Sequence, residues 1–291
     1  MTKPHHMLEP ARSPRQDTCA ETRQRILMCA PDDFDVRYVI NPWMEHQIGR
    51  TAPSLAREQW RSLCAIVSQS AKVELVTPAA GLPDMVFTAN AGFVLGNVAV
   101  VSRFRAEERR PEEPLFRAFF EARGFHVASW PQDLPFEGAG DALIDRGADI
   151  VWCGHGMRSA EAAPAALEQI VSRRVIGLRL VDPRFYHLDT CFCPLAGGYL
   201  LYYPPAFDAA SREAIETITP PEKRIAIDEA DAMRFSCNAV DLDGSLAMND
   251  ASPQLQKRLR AAGFAPVIAP LSEFMKAGGA AKCLTLKLVE R

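Results

Sequence analysis

The sequence predicts an α/β repeat protein made of five similar units set in a ring. Turn-forming tips recur about every 50 residues, at Gly96-Asn97, Arg146-Gly147, Gly197-Gly198 and Asp243-Gly244, and a fixed period of that kind is the signature of a repeat architecture. Each tip joins two short apolar runs, the pattern of a β-hairpin. Between hairpins lie a stretch of helical periodicity and a further apolar run, so a unit reads strand, hairpin, helix, with a loop entering each hairpin.

In chain order, residues 91–95 turn into 98–101, followed by a helix over 113–122 and a strand over 125–128. Residues 141–144 turn into 150–152, with a helix over 160–172 and a strand over 175–180. The third and fourth hairpins pair 191–195 with 199–203 and 238–242 with 245–248. A fifth unit is assembled from both ends: a strand over 25–29, a helix over 54–68 and a last strand over 282–289. Joining the termini in this way closes the ring.

Composition narrows the function. The chain has 291 residues, 48% hydrophobic and 24% charged, which suits an ordinary soluble globular protein with a sizeable core. Its formal charge of −3 argues against a nucleic-acid partner, which would want a basic face. No apolar run reaches the roughly 20 residues that span a bilayer, so no membrane partner is expected. Residues 1–24 lack the apolar core of a signal peptide and read as a flexible tail ahead of a single catalytic domain over 25–291, with a cytoplasmic location. The eight cysteines are then expected as thiols. Cys191 and Cys193 have no second Cys/His pair at a zinc-like distance, and alternate strand positions are the better reading of them.

In such a ring the loops leading into the hairpins meet at the centre. They carry the polar residues of otherwise apolar segments: Asp84, Asn90, Glu137, Asp141, His187, Asp189 and Cys283. Burying such groups costs free energy unless they bind something. Clustered carboxylates repel one another, and with no metal spacing present a planar guanidinium making paired hydrogen bonds is a natural guest. A cysteine after Gly278-Gly279-Ala280-Ala281 and a histidine two residues before an acid supply the nucleophile, proton carrier and orienting charge of thiol catalysis. Plainer roles stand beside these: Asp84 after Pro83 and Asn41 before Pro42 as turn residues, Asp141 as the opening of a strand, His187 as a core histidine, and Arg109 on a solvated face within 103–113.

The motifs Pro83 to Asn90, Phe136-Glu137-Gly138-Ala139-Gly140-Asp141, His187-Leu188-Asp189-Thr190 and Gly278 to Leu286 resemble the guanidino-group-modifying superfamily, which includes arginine deiminase, dimethylarginine dimethylaminohydrolase and glycine amidinotransferase. The resemblance runs from about residue 26 to the end and implies a five-bladed α/β propeller, the pentein fold. Residues 35–44 and 182–193, with the C-terminal loop, are similar to the catalytic module of the arginine dihydrolase branch. That similarity implies conversion of L-arginine to L-ornithine, carbon dioxide and two ammonia, with no cofactor or metal. Neighbouring reactions on the scaffold are deimination that stops at citrulline, hydrolysis of citrulline and amidino transfer; a non-catalytic binding propeller is the remote alternative.

Carried over residue by residue, Cys283 resembles the nucleophile and His187 the general acid/base, with Glu137 beside them. Asp84, Glu137 and Asp189 resemble acids that hold the guanidinium, and Arg109 and Arg158 resemble clamps on the substrate carboxylate, with Arg103, Arg105 and Arg110 as alternatives. Asn41 and Asn90 are departures from the deiminase pattern, which reads Phe-Thr-Arg-Asp where this chain reads Phe87-Thr88-Ala89-Asn90. An amide both donates and accepts, so it also suits the neutral ureido group of citrulline and a second turnover. Glu-Gly-Ala-Gly-Asp is one residue longer than the deiminase motif and leaves the inherited place open between Glu137 and Asp141. Dihydrolases of this kind often carry a further domain acting on ornithine; as the chain ends soon after Cys283, that step is expected from a separate protein. Homo-oligomerisation is left open.

Overall fold

The structure, a computed structural model, describes residues 24–289. The expected N-terminal tail lies outside the described residues except for Gln24, which begins a strand and so belongs to the domain. Strands β1 (Gln24–Cys29) and β2 (Ala71–Val76) are parallel, joined by α1 (Pro53–Ser70). Pro53 occupies the first turn of α1 and Ala56, Trp60, Leu63 and Val67 are buried, the spacing of one apolar face. Four more units follow the same plan.

The first hairpin pairs β3 (Gly92–Leu95) with β4 (Val98–Val101), and α2 (Glu113–Ala122) carries the chain to β5 (His126–Val127), parallel to β4. The second pairs β6 (Ala142–Ile144) with β7 (Ile150–His155), then α3 (Ala163–Val171) leads to β8 (Arg174–Arg179). The third has β9 (Phe192–Leu195), β10 (Tyr199–Tyr202), α4 (Ala209–Ile218) and β11 (Arg224–Ala226). After the short α5 (Glu229–Ala232), the fourth has β12 (Val240–Leu242), β13 (Ser245–Met248), α6 (Pro253–Ala261) and β14 (Ala265–Ile268). The short α7 (Ser272–Met275) precedes β15 (Leu286–Val289), which returns antiparallel to β1. The described residues thus form five three-stranded sheets, and β15-β1-β2 joins the two ends of the chain.

Helices on one face of each strand layer bury the core. Phe116, Phe119 and Phe120 of α2 are buried, and Phe120 lies edge-on to Phe125 at 5.8 Å. Neighbouring units interlock through rings: Trp152 of β7 meets Phe192 of β9 at 5.3 Å. One cavity is lined from the first strand of all five pairs, by Phe93, Leu143, Phe192, Val240 and Leu286 among others.

The expected strand over 282–289 is shorter, beginning at Leu286. Ahead of it the Leu284 amide donates to the Ala280 carbonyl (3.1 Å) and that of Thr285 to Lys282 (3.0 Å). These local bonds take the donors a ladder would need and curl the segment into a turn that presents Cys283.

Candidate active site

The loops before β3, β6, β9, β12 and β15 deliver the polar residues, each through a tight turn. Short 3-10 turns at Pro83–Val86 and Thr88–Ala91 hold Asp84 and Asn90, one at Gly138–Gly140 follows Glu137, and one at Leu188–Thr190 follows His187. Gly138 has φ of +61° and packs on the Gly92 backbone. Gly278, with φ of +83°, leaves room for the Tyr186 hydroxyl. A side chain at either position would be strained and crowded.

The turns enclose a small cavity lined by Ile40, Asn41, Met44, Asp84, Phe87, Asn90, Arg109, Arg158, Tyr186, His187, Ala277, Gly279 and Cys283. Cys283 is 3% exposed. Its sulfur lies 3.5 Å from Asp189 Oδ2 and accepts from Asn238 Nδ2 at 3.1 Å. Burial, then the Asp189 charge, pushes the Cys283 thiol well above its ordinary range. Burial does the same to Cys153, Cys191 and Cys237, so it is the opening onto the cavity that distinguishes Cys283.

His187 Nε2 lies 2.7 Å from Glu137 Oε2. Burial alone would raise the Glu137 carboxyl, but Arg158 and His187 together hold it well below the usual carboxylate range. An ionised carboxylate only accepts, so Nε2 carries the proton of that bond and the other imidazole nitrogen is left for a ligand. Glu137 also accepts from Arg158 Nη1 (3.0 Å) and the Arg105 amide (3.1 Å).

Asp84 holds the opposite character. Its Oδ2 accepts from the Tyr38 hydroxyl at 2.9 Å, while Oδ1 is buried with no hydrogen-bond partner among the described residues. Burial, only partly offset by Arg109, raises its carboxyl. A buried carboxylate oxygen of a cavity-lining residue with no protein partner suits a cationic donor.

Arg109, whose plainer reading was a solvated face within the charged run 103–113, is buried. Glu112 receives its Nε (3.0 Å) and Nη2 (2.8 Å), Asn90 Oδ1 its Nη1 (2.9 Å) and the Asp84 carbonyl its Nη2 (3.1 Å). Asn90 in turn donates to the Glu137 carbonyl at 3.1 Å, which fixes its amide orientation. Arg158 donates to the Ile40 carbonyl (2.7 Å) and lies over the Tyr186 ring at 4.8 Å. Of the alternative arginines, Arg103 pairs with Glu113 and Arg110 with Glu107, and none of the three lines the cavity. Asn41 lines it, but its Oδ1 caps the turn at Pro42–Met44 and one N–H donates to Ala277. It offers a ligand only the remaining N–H.

Asp141, expected at the substrate, stands behind the site instead. Its Oδ1 accepts from the Leu188 amide (3.0 Å) and its Oδ2 from Ser159 Oγ (2.6 Å). With both oxygens bound inside the protein it props the His187 loop, and Glu137 is the acid that reaches His187. Burial, partly countered by His187, raises Asp141 to about 6. Asp189 lies behind Cys283, raised to about 7 by burial against the opposing pull of Lys282, Cys283 and Asn238.

Sequence reasoning missed Tyr186, whose hydroxyl donates to the Gly278 carbonyl at 2.7 Å, and Asn238. Asn238 falls at the start of the expected strand over 238–242, but the strand begins at Val240 and leaves Asn238 in the entry loop, where the period puts the polar residue of that unit.

Known proteins match this arrangement. The family model described as N,N dimethylarginine dimethylhydrolase, eukaryotic, matches residues 45–290. The bifunctional arginine dihydrolase/ornithine cyclodeaminase ArgZ of Synechocystis sp. is 56% identical over 91% of this chain and 38% of its own length. The N(G),N(G)-dimethylarginine dimethylaminohydrolase of Mycobacterium tuberculosis is 38% identical over 91% of this chain and 86% of its own. The crystal structure of the N-terminal domain of ArgZ bound to substrate has a TM-score of 0.91 at 56% identity, covering 92% of this chain and 98% of that one. A dimethylarginine dimethylaminohydrolase adduct with S-methyl-L-thiocitrulline, at 19% identity and a TM-score of 0.76, shares the fold. The chain belongs to the dimethylarginine dimethylaminohydrolase-type family of the guanidino-group-modifying superfamily. Within it, the match to ArgZ puts the chain with the arginine dihydrolase branch. It spans about two fifths of the length of the bifunctional relatives.

Proposed function

We propose that this chain is an arginine dihydrolase, converting L-arginine and two waters to L-ornithine, carbon dioxide and two ammonia. The observation that carries the reading is the cavity that joins the Cys283 sulfur, His187 and the orphaned Asp84 oxygen. The likeness to ArgZ over nearly the whole chain supports the substrate. We also read the five sheets as blades of a closed ring, supported by the cavity lined from all five first strands and by the pairing of β15 with β1.

The guanidinium donates to Asp84, with the Asp189 carboxylate behind the Cys283 sulfur adding negative charge, while Arg109 and Arg158, with the free N–H of Asn41, face the α-carboxylate. The cation also offsets the burial that keeps Cys283 protonated, so the thiol ionises when substrate is seated. The thiolate forms a C–S bond to the guanidinium carbon. The C–N bond breaks, and its electron pair leaves with a proton from His187 as ammonia. Water then loses a proton to His187 and adds to the thiouronium carbon; the C–S bond breaks, its pair returns to sulfur, and citrulline remains. A second attack expels the other terminal nitrogen as ammonia, with Asn90 able to donate and accept at the neutral group. Hydrolysis of that adduct gives a carbamate, which splits to ornithine and carbon dioxide.

One pH dependence follows. Asp189, raised to about 7 by burial, must be ionised to attract a cation to the neighbouring sulfur, so below that pH binding includes loss of a proton. For arginine, kcat/KM is expected to climb up to about tenfold per unit on the acidic side and level off above about pH 7. Asp189→Asn should abolish that limb; a limb unchanged in the variant assigns the titration elsewhere.

The family model favours a second reading, hydrolysis of dimethylarginine. Initial rates with arginine, citrulline and dimethylarginine decide between the two. The dihydrolase reading expects arginine to give ornithine and dimethylarginine to be the poorer substrate; preference for dimethylarginine with release of dimethylamine overturns it.

A further inference from the structure

The loop before the fourth hairpin contributes one polar side chain to the nucleophile, and it lies behind the cavity wall. Asn238 is fully buried and uses both ends of its amide. Its Oδ1 accepts from the Ala280 and Cys283 amides, both at 3.1 Å. Its Nδ2 donates to the Asp189 carbonyl at 3.0 Å and to Cys283 Sγ at 3.1 Å. The orientation is set by chemistry, since two backbone N–H groups need an acceptor and a carbonyl needs a donor. The end aimed at the sulfur is therefore N–H.

We propose that Asn238 is a catalytic residue whose amide N–H holds the Cys283 sulfur in its anionic form, beyond fixing the loop that carries it. The proposal rests on Cys283 being the nucleophile. A hydrogen bond to the charged form of a group favours that form, and in a buried site such a bond to an anion is stronger than one between neutral partners. The need is local: Asp189, 3.5 Å from the sulfur, opposes the thiolate. Among the groups near it, Tyr186 is pushed far up by burial and stays neutral. The Lys282 ammonium favours the anion, but its Nζ is drawn to the Ala139 carbonyl at 3.1 Å. His187, Arg109, Arg158 and Asp84 share the cavity with the sulfur.

Asn238→Asp separates the two roles. The carboxylate can still accept from Ala280 and Cys283, but it presents oxygen where N–H faced the sulfur and the Asp189 carbonyl. Asn238→Ala removes both. The test is the pH dependence of Cys283 alkylation by iodoacetamide, read by peptide mass, together with arginine kinetics. Both variants are expected to move the alkylation midpoint upward by about one pH unit or more and to lower kcat about 10- to 100-fold. KM should stay within about threefold because Asn238 does not line the cavity. An Asp variant with wild-type midpoint and kcat overturns the proposal, as does a kcat loss with no change in midpoint. If the Asp variant does not fold, Asn238→Ser is read by the same two outcomes. The alkylation profile needs no substrate: a shifted midpoint in a protein inert to arginine sustains the role of Asn238 and removes the dihydrolase reading, whereas normal turnover with unshifted variants does the reverse.

Discussion

Replacing Cys283 with Ser is expected to lower arginine turnover by at least about 10³-fold, while arginine still raises the melting temperature. The sulfur is the atom to which the Asn238 amide and the Asp189 carboxylate are fitted. A hydroxyl is far harder to ionise than a thiol, so the same site leaves a serine neutral and unreactive. Binding should persist because Asp84, Arg109 and Arg158 are untouched. Turnover at more than about a tenth of wild type would remove Cys283 from the chemistry; loss of both turnover and the thermal shift would mean that the variant had damaged the cavity.

Asp84→Asn is expected to trade function for stability. The Asp84 carboxyl is raised by burial and its Oδ1 has no partner among the described residues, so keeping a charge there costs about 1–3 kcal/mol. The amide keeps an oxygen for Tyr38 and removes the buried charge, while Arg109 retains Glu112. Melting should rise by about 2–8 °C. The same change deletes the anion that receives the guanidinium, so kcat/KM for arginine should fall by about 100-fold or more. A variant that melts lower, or binds arginine as wild type, would contradict the reading of Asp84 as the acid that receives the substrate guanidinium.

Both predictions concern residues visible in the sequence as polar side chains in apolar surroundings. The hairpin tips were legible because turn chemistry and alternation act over a few residues, and their period named the units. Adjacency across units was harder to read. Nothing local in Asp141 distinguishes a ligand contact from a prop under Leu188, since the difference lies in the amide and hydroxyl that the fold brings to its oxygens. Arg109 sits in a run whose local pattern is that of a solvated face, and only Glu112, Asn90 and Asp84 together make it an interior cation. The curl before Leu286 escaped for a related reason: residues 282–285 have strand-like composition, but their donors are taken by neighbouring carbonyls. Asn238 was read as the first residue of a strand over 238–242, whereas the strand begins at Val240 and leaves Asn238 in the loop ahead of it.

The central claim is that one cavity carries arginine through two nucleophilic turnovers. Its most direct test is a time course with uniformly labelled L-arginine and the purified chain, following ornithine, citrulline, carbon dioxide and ammonia. The account predicts two ammonia and one carbon dioxide for each ornithine, with citrulline as a transient that does not accumulate. One ammonia per arginine with citrulline as the final product would contradict it.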